Sequence, residues 1–344
     1  MTVFAVPEPA APSGGHTYGR RLARALGLDR VEMPGTWPRP AVRDLAGLDL
    51  LLTALPNGSA VLLDGLVACS APEVVVPHSA RLRVVVLVHL PLADETGPGP
   101  AEAADLEARE RAVLRAAAAV VATGGAAARD LESRHGLPRV DTAPPGVDPA
   151  PETVPGDGTR LLCAASPTPR KGHDVLFDAL DRVRDLPWTC TCPGLADDDG
   201  GDPWQARVRE AARALDGRVA LPGPLTGADL DAAYAAADLL VLPTRAETYG
   251  MVVTEALARA VPVLASGVGG VPEALGRDPG GDRPGLLVPP DDPGALADAL
   301  RRWLTDPPLR EALRRSARRR RPALAGWEET ARSVGAVLDR EETP

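Results

Sequence analysis

A chain of 344 residues exceeds what one ordinary hydrophobic core supports and points to two domains. With 44% hydrophobic and 25% charged residues it reads as a globular protein, and a formal net charge of -9 leaves no basic footprint for nucleic acid. No run of about 18 apolar residues is present to cross a bilayer, and the start M-T-V-F-A-V-P-E-P lacks the parts of a signal peptide, so a cytoplasmic protein is expected.

Short apolar runs alternate with Ala/Leu/Arg helical patterns, the signature of parallel strands joined by crossover helices. In the first half, strands are predicted over 3–6, 60–64, 83–89, 120–123 and 140–143, with helices over 16–26, 102–118 and 125–134. Residues 143–158, A-P-P-G-V-D-P-A-P-E-T-V-P-G-D-G, carry too many prolines for helix or sheet and read as an interdomain linker. A second series predicts strands over 160–165, 188–192, 219–221, 239–242, 262–265 and 285–288. Its helices span 172–184, 203–215, 227–236, 248–260 and 295–304. The tail G-W-E-E-T-A-R-S-V-G-A-V-L-D-R is one more amphipathic helix. The expected fold is α/β, with two Rossmann-like, doubly wound parallel-sheet domains facing across a cleft. They cover 1–150 and 151–325, and the helix at about 326–344 packs back on the first. Cysteines at 69, 163, 190 and 192 lack zinc-finger spacing and read as reduced thiols. Without secretion, the sequon Asn57-Gly58-Ser59 is empty.

Composition also singles out one residue. Of 38 Lys and Arg residues only Lys171 is a lysine, in S-P-T-P-R-K-G-H-D, and the chain has no isoleucine. Under such a GC-rich bias, lysine drifts to arginine unless a compact ammonium is needed, as in a phosphate clamp. The plain alternative is chance in an exposed turn. Position allows the clamp, since in an open parallel sheet the turn after a strand faces the ligand crevice, where helix N-termini receive anions, but basic residues also sit in solvated turns.

The strongest constellation is 247–273, E-T-Y-G-M-V-V-T-E-A-L-A-R-A-V-P-V-L-A-S-G-V-G-G-V-P-E. Glu247 falls on the loop after strand 239–242. Glu255, eight residues on, falls two turns into the helix, about 12 Å away at 1.5 Å per residue. Two carboxylates so spaced could grip both ends of an elongated ligand, its phosphates meeting the amides of Tyr249 to Val252 while Gly250 allows close approach. The plain alternative is a solvated Glu255, but it precedes Ala-Leu-Ala on what should be a packed face.

These motifs resemble the signature of the retaining glycosyltransferases of family 4, which have the GT-B fold. P-S-G-G-H-T-Y-G-R-R-L, V-H-L-P, P-P-G-V-D, P-R-K-G-H-D-V-L, L-P-G-P-L-T-G-A-D-L-D-A-A-Y-A-A-A-D-L-L-V-L-P-T and G-W-E-E extend the likeness in order along nearly the whole chain. The resemblance implies that Lys171, helped by Arg170, holds the donor diphosphate, and that Glu255 binds the ribose hydroxyls. Glu247 would hold the donor sugar, with the amides of Thr248, Tyr249, Gly250, Met251 and Val252 on phosphate and sugar. Gly14 and Gly15 would form a loop closing over the phosphates, and His89 would lie under the anomeric carbon. Gly223 to Leu225 would lie near the base. His16 and Tyr18, beside the glycine pair, would face the acceptor.

The implied function is transfer of a sugar, with retention, from a nucleotide sugar (a UDP- or GDP-sugar first) to a hydroxyl of a small-molecule or envelope acceptor. By the same resemblance the path is front-face and needs no cofactor or metal. One departure stands out: many family members carry an Arg where this chain has Ala165 and Ser166, so donor grip would lean on Arg170 or on amides. The Asp-x-Asp in L-A-D-D-D-G-G-D (195–202) reads as a solvated acidic loop. The run R-R-S-A-R-R-R-R-P (314–322) could touch anionic headgroups, but reads better as a solvated helix end. Three rivals remain: a sugar-nucleotide epimerase, which releases no glycoside; a pseudo-glycosyltransferase, which only its products would reveal; and a sugar-nucleotide sensor, which would bind without turnover.

Overall fold

The computed structural model describes residues 2–8, 13–94, 97, 99–195 and 202–340. They divide into two compact units, Met1–Gly146 with Ala325–Pro344, and Val147–Leu324. The first runs β1 (Val3–Pro7), α1 (Gly14–Leu26), β2 (Asp29–Met33), α2 (Val42–Thr53), β3 (Ala60–Asp64), α3 (Gly65–Cys69), α4 (Pro72–Ser79), β4 (Arg83–Val88), α5 (Pro100–Ala116), β5 (Ala119–Ala122), α6 (Gly125–His135) and β6 (Asp141–Thr142). Its strands form a six-stranded parallel sheet ordered β2-β1-β3-β4-β5-β6.

The second unit runs β7 (Arg160–Leu162), α7 (His173–Asp181), β8 (Thr189–Thr191), α8 (Pro203–Arg213), β9 (Val219–Ala220), α9 (Gly227–Ala236), β10 (Leu239–Leu242), α10 (Met251–Ala258), β11 (Val263–Ser266), α11 (Val271–Leu275), β12 (Gly285–Val288), α12 (Pro293–Thr305) and α13 (Pro307–Arg320). Its sheet is again six-stranded and parallel, ordered β12-β11-β10-β7-β8-β9. Residues alternate between two buried faces. Leu161, Leu239 and Val241 pack with Phe177 and Trp303 on one side, while Leu162, Leu240 and Leu242 pack with Tyr234 and Leu257 on the other. Period-2 alternation with both faces apolar is what makes these strands read as continuous hydrophobic runs. The four cysteines are buried and unpaired, with Cys190 and Cys192 on the same side of β8 and their sulfurs 3.7 Å apart.

The last helix, α14 (Trp327–Leu338), packs in the first unit against α1. Thr330 Oγ1 donates to Pro144 O at 2.7 Å, and the Trp327 ring meets Tyr18 edge-on with centroids 5.7 Å apart. Residues 143–159 contain neither helix nor strand, as their prolines require. The buried Asp238 anchors the second half of this segment, accepting from Gly156 N at 2.6 Å and Gly158 N at 3.3 Å, and from Arg160 and Arg314.

β2 and α2 are among the elements that the hydrophobic pattern does not show, as are α3, α4, α11 and α13. β2, D-R-V-E-M, is an edge strand paired only with β1, and its charged residues mask the period. α2 carries a weak amphipathic signal, with Asp44, Leu48 and Leu52 as its buried residues. No helix among the described residues is long and apolar enough to cross a membrane.

Candidate functional site

In the second unit the chain leaves β7 toward β8 and β9, then returns on the other side of β7 as β10. The crevice between the ends of β7 and β10 is therefore a topological switch point, where open α/β sheets hold ligands. Lys171 follows β7 and Glu247 follows β10, and the switch brings them into a half-buried ion pair between Lys171 Nζ and Glu247 Oε2. The two turns are also stitched by backbone. Arg245 N donates to Arg170 O at 2.8 Å, and buried Thr244 Oγ1 lies 3.0 Å from the same carbonyl.

Three cations stand in this crevice, and two serve the loops themselves. Arg170 Nη1 donates to Ala246 O at 3.0 Å. Arg245 forms a bidentate pair with Asp174 at 2.9 and 2.7 Å and reaches Asp291 at 2.9 Å. Burial acts to raise the Asp174 carboxyl, but the Arg245 hydrogen bonds and charge, with backbone amides, together hold the group below its ordinary range. Lys171 alone has a carboxylate partner that is itself a candidate ligand group. Ala165 is half-buried and Ser166 exposed, so neither adds charge where an arginine was expected.

Glu247 sits on a loop shaped by the glycine pair Gly269-Gly270. A Cβ on Gly269 would come within 1.9 Å of Glu247 O, and Gly270 N donates to that same carbonyl at 3.0 Å. The G-V-G-G-V-P-E run thus holds the Glu247 loop from beneath. The following helix begins at Met251 rather than 248, because Gly250 caps it with φ +98°. Gly250 serves this backbone conformation rather than a close approach: a Cβ there would meet nothing nearer than 3.5 Å. Val253 N donates to Gly250 O at 2.9 Å, which leaves the amides of Met251 and Val252 at the open end of α10. Glu255 consequently lies about one turn into α10, not two, and a 1.5 Å rise per residue does not describe its separation from Glu247.

Glu255 is not a solvated surface acid. Tyr234 OH donates to Glu255 Oε2 at 2.8 Å, and Arg259 Nη1 donates to the Glu255 carbonyl at 2.8 Å. Burial pushes the Glu255 carboxyl up, while the Tyr234 hydrogen bond and Arg259 pull the other way. The tyrosine was missed in the sequence, although it is one of only three in the chain and stands alone in an Ala-rich helix. Tyr249 is half-buried and packs against the α10 core, its hydroxyl pushed up to about 12 by burial and Glu273. Gly223 is held by the loop after β8, donating to Leu195 O at 2.8 Å and accepting from Gly194 N at 2.7 Å. Leu225 lies half-buried beside it in sequence.

In the first unit the residues gather at the C-terminal strand ends. Gly14 and Gly15 are not a loop: they open α1, whose first turn is capped by Ser13 accepting from His16 N at 3.2 Å. His16 Nδ1 lies 3.0 Å from Ser13 Oγ. Tyr18 does not face a ligand either. It is 1% exposed, its OH donates to Ala143 O at 2.8 Å, and its ring packs edge-on to His89 with centroids 4.9 Å apart. His89, just past β4, also lies against Gly15, and its Nε2 is 3.4 Å from Asp64 Oδ2. Asp64, at the end of β3, caps α3 through Leu66 N at 2.8 Å and was not singled out in the sequence. Tyr18 and Gly15 therefore shape the His89 environment from within the fold.

The arginine run differs from a solvated helix end. Arg314 pairs with Asp238, Arg318 with Glu152, and Arg319 with Asp278 and Asp282, while Arg321 caps Ala258 O and Ala150 O. The Asp-x-Asp at 197–199 lies outside the described residues. Among those described, no group of three or more His, Cys, Asp or Glu is arranged to hold a metal ion.

Two six-stranded parallel sheets with switch-point crevices define the GT-B class of glycosyltransferases, and solved structures share this fold. Sucrose-phosphate synthase from Thermosynechococcus elongatus superposes with a TM-score of 0.78 at 21% identity, covering 98% of each chain. The Anabaena HepE protein, solved with UDP and glucose, gives 0.77 at 16% identity, covering 99% of this chain and 100% of that one. The model of the family described as glycosyl transferases group 1 matches residues 158–306. D-inositol 3-phosphate glycosyltransferase 1 of Catenulispora acidiphila is 31% identical over 79% of this chain and 68% of its own. The chain therefore belongs to the group 1 glycosyltransferases. The D-inositol 3-phosphate glycosyltransferases of Kineococcus radiotolerans and Jonesia denitrificans are 34% and 32% identical, over 67% and 70% of this chain. Those matches span 59% and 62% of the relatives' own lengths.

Proposed function

We propose that the protein is a retaining glycosyltransferase that moves a sugar from a UDP- or GDP-sugar to a hydroxyl of a small-molecule or envelope acceptor. The carrying observation is the junction at the β7/β10 switch point: Lys171 against Glu247, the amides at the open end of α10, and Glu255 one turn on. Lys171 and the helix end suit a diphosphate. Glu247 and Glu255 suit sugar and ribose hydroxyls, which donate hydrogen bonds to carboxylates. The second unit would carry the donor. The first would carry the acceptor pocket and His89, whose ring or backbone carbonyl would steady positive charge at the anomeric carbon.

The bond between the anomeric carbon and the diphosphate breaks, its electron pair going to the leaving phosphate oxygen. The acceptor oxygen bonds to the same face of that carbon, and its proton passes to the departing phosphate. Lys171 and the α10 amides would stabilise the developing negative charge without a metal ion. The four buried free cysteines fit a reducing cytoplasm. Inositol phosphate heads the acceptor candidates, because the curated relatives are named for it.

The test is product analysis with UDP-glucose, UDP-N-acetylglucosamine and GDP-mannose against D-inositol 3-phosphate, in the presence of EDTA. A glycoside that keeps the donor's anomeric configuration by NMR, formed equally with chelator, is expected. An inverted anomer, or activity abolished by chelation and restored by a divalent metal, would contradict the mechanism. An epimerised nucleotide sugar would identify a rival instead.

A further inference from the structure

We propose that Tyr234 is a positioning residue for nucleotide recognition, fixing which oxygen of Glu255 is presented to a ribose. The inference rests on the reading that Glu255 meets the ribose hydroxyls. Tyr234 is 1% exposed on α9, and its hydroxyl donates to Glu255 Oε2 at 2.8 Å. Its ring is held in turn, with the Arg259 guanidinium 4.7 Å from the centroid. Arg259 is itself fixed at both ends, donating to the Glu255 carbonyl at 2.8 Å and pairing with Asp231 on α9. Asp231, Arg259, Tyr234 and Glu255 thus form a closed bracket joining α9 to α10. Oε1 of Glu255 receives no donor among the described residues.

A glutamate normally spins freely about its last torsion, and ordering it on binding costs entropy. A buried tyrosine hydroxyl on one oxygen removes that freedom in advance and leaves the other oxygen as the one still able to accept. Burial pushes this carboxyl up, and the Tyr234 hydrogen bond opposes that push.

The experiment titrates the full chain calorimetrically with UDP, GDP and ADP, each beside its 2′-deoxy analogue. Wild type, Tyr234→Phe and Glu255→Ala are compared, with thermal melts confirming that each is folded. Wild type should bind its ribonucleotide about tenfold more tightly than the deoxy form, as a hydrogen bond to a charged group warrants. Glu255→Ala should erase that preference. Tyr234→Phe should shrink it roughly threefold while leaving deoxy affinity nearly unchanged. If Tyr234→Phe keeps the full preference while Glu255→Ala loses it, the positioning role is overturned and the Glu255 reading stands. If Tyr234→Phe weakens both forms alike, the tyrosine is merely structural and the proposal also fails. A preference that survives Glu255→Ala, or a wild type that binds none of the six, overturns both readings together.

Discussion

Lys171 is the one position where this arginine-rich chain retains an ammonium, and it is the cation at the switch point that pairs with a candidate ligand carboxylate. Arg170 and Arg245 hold loop carbonyls and carboxylates instead. Glu255 shows the opposite strain. Burial holds its carboxyl above the ordinary range, so folding favours the protonated form; stability is full below the unfolded value near 4.3 and falls as pH rises through the raised one. Glu255→Gln should therefore melt at a higher temperature than wild type at pH 7, with the gap closing by pH 4, while losing nucleotide affinity. A gap independent of pH would contradict this account. Gly269→Ala would drive a Cβ to 1.9 Å from Glu247 O. It should cost about 2 to 4 kcal/mol in denaturant unfolding and weaken donor binding together, since the loop it displaces carries Glu247.

At the scale of elements, what the sequence made legible follows from which residues carry the pattern. β10 reads cleanly because apolar residues fill it end to end, and β3 and β12 because all but one end residue belongs to an apolar run. β2 did not, because an edge strand with Asp29, Arg30 and Glu32 shows no period. The switch-point motif was legible because Lys171, Glu247 and Glu255 have fixed spacings from strand ends. Tyr234, which supports Glu255, comes from α9, and Asp64, beside His89, from the end of β3, so no local spacing marks either. The α13 arginines show the same limit: a charge run looks solvated until its partners are placed. Asp238 is the clearest of those partners. Burial opposes its ionisation, but hydrogen bonds from Arg160 and Gly156 N hold its carboxyl below the ordinary range. Its stabilisation is present above the unfolded carboxylate value and lost as pH falls through the lower folded one. Asp238→Asn should cost about 3 kcal/mol at pH 7 by denaturant unfolding, with the deficit shrinking below about pH 4. An unchanged deficit on acidification would show that the charge is not what matters.

For the whole molecule, the same device appears twice: a parallel sheet whose order reverses beside its first strand, with chemistry-bearing side chains on the turns that follow. In the first unit that device depends on a helix from the far end of the sequence. Trp327 of α14 packs on Tyr18, which packs on His89. Trp327→Ala should destabilise the protein by about 3 kcal/mol and should leave nucleoside diphosphate affinity nearly unchanged, because Lys171, Glu247 and Glu255 lie in the other unit. A parallel loss of nucleotide binding would count against that division of labour.

The proposed function turns on Lys171 as the clamp for a diphosphate. The most direct measurement is a calorimetric titration of wild type, Lys171→Ala and Lys171→Arg with UDP, GDP, ADP and dTDP. Wild type should bind one of them, Lys171→Ala should weaken that binding by about tenfold or more, and arginine should restore it only in part. Full affinity in Lys171→Ala would contradict the clamp.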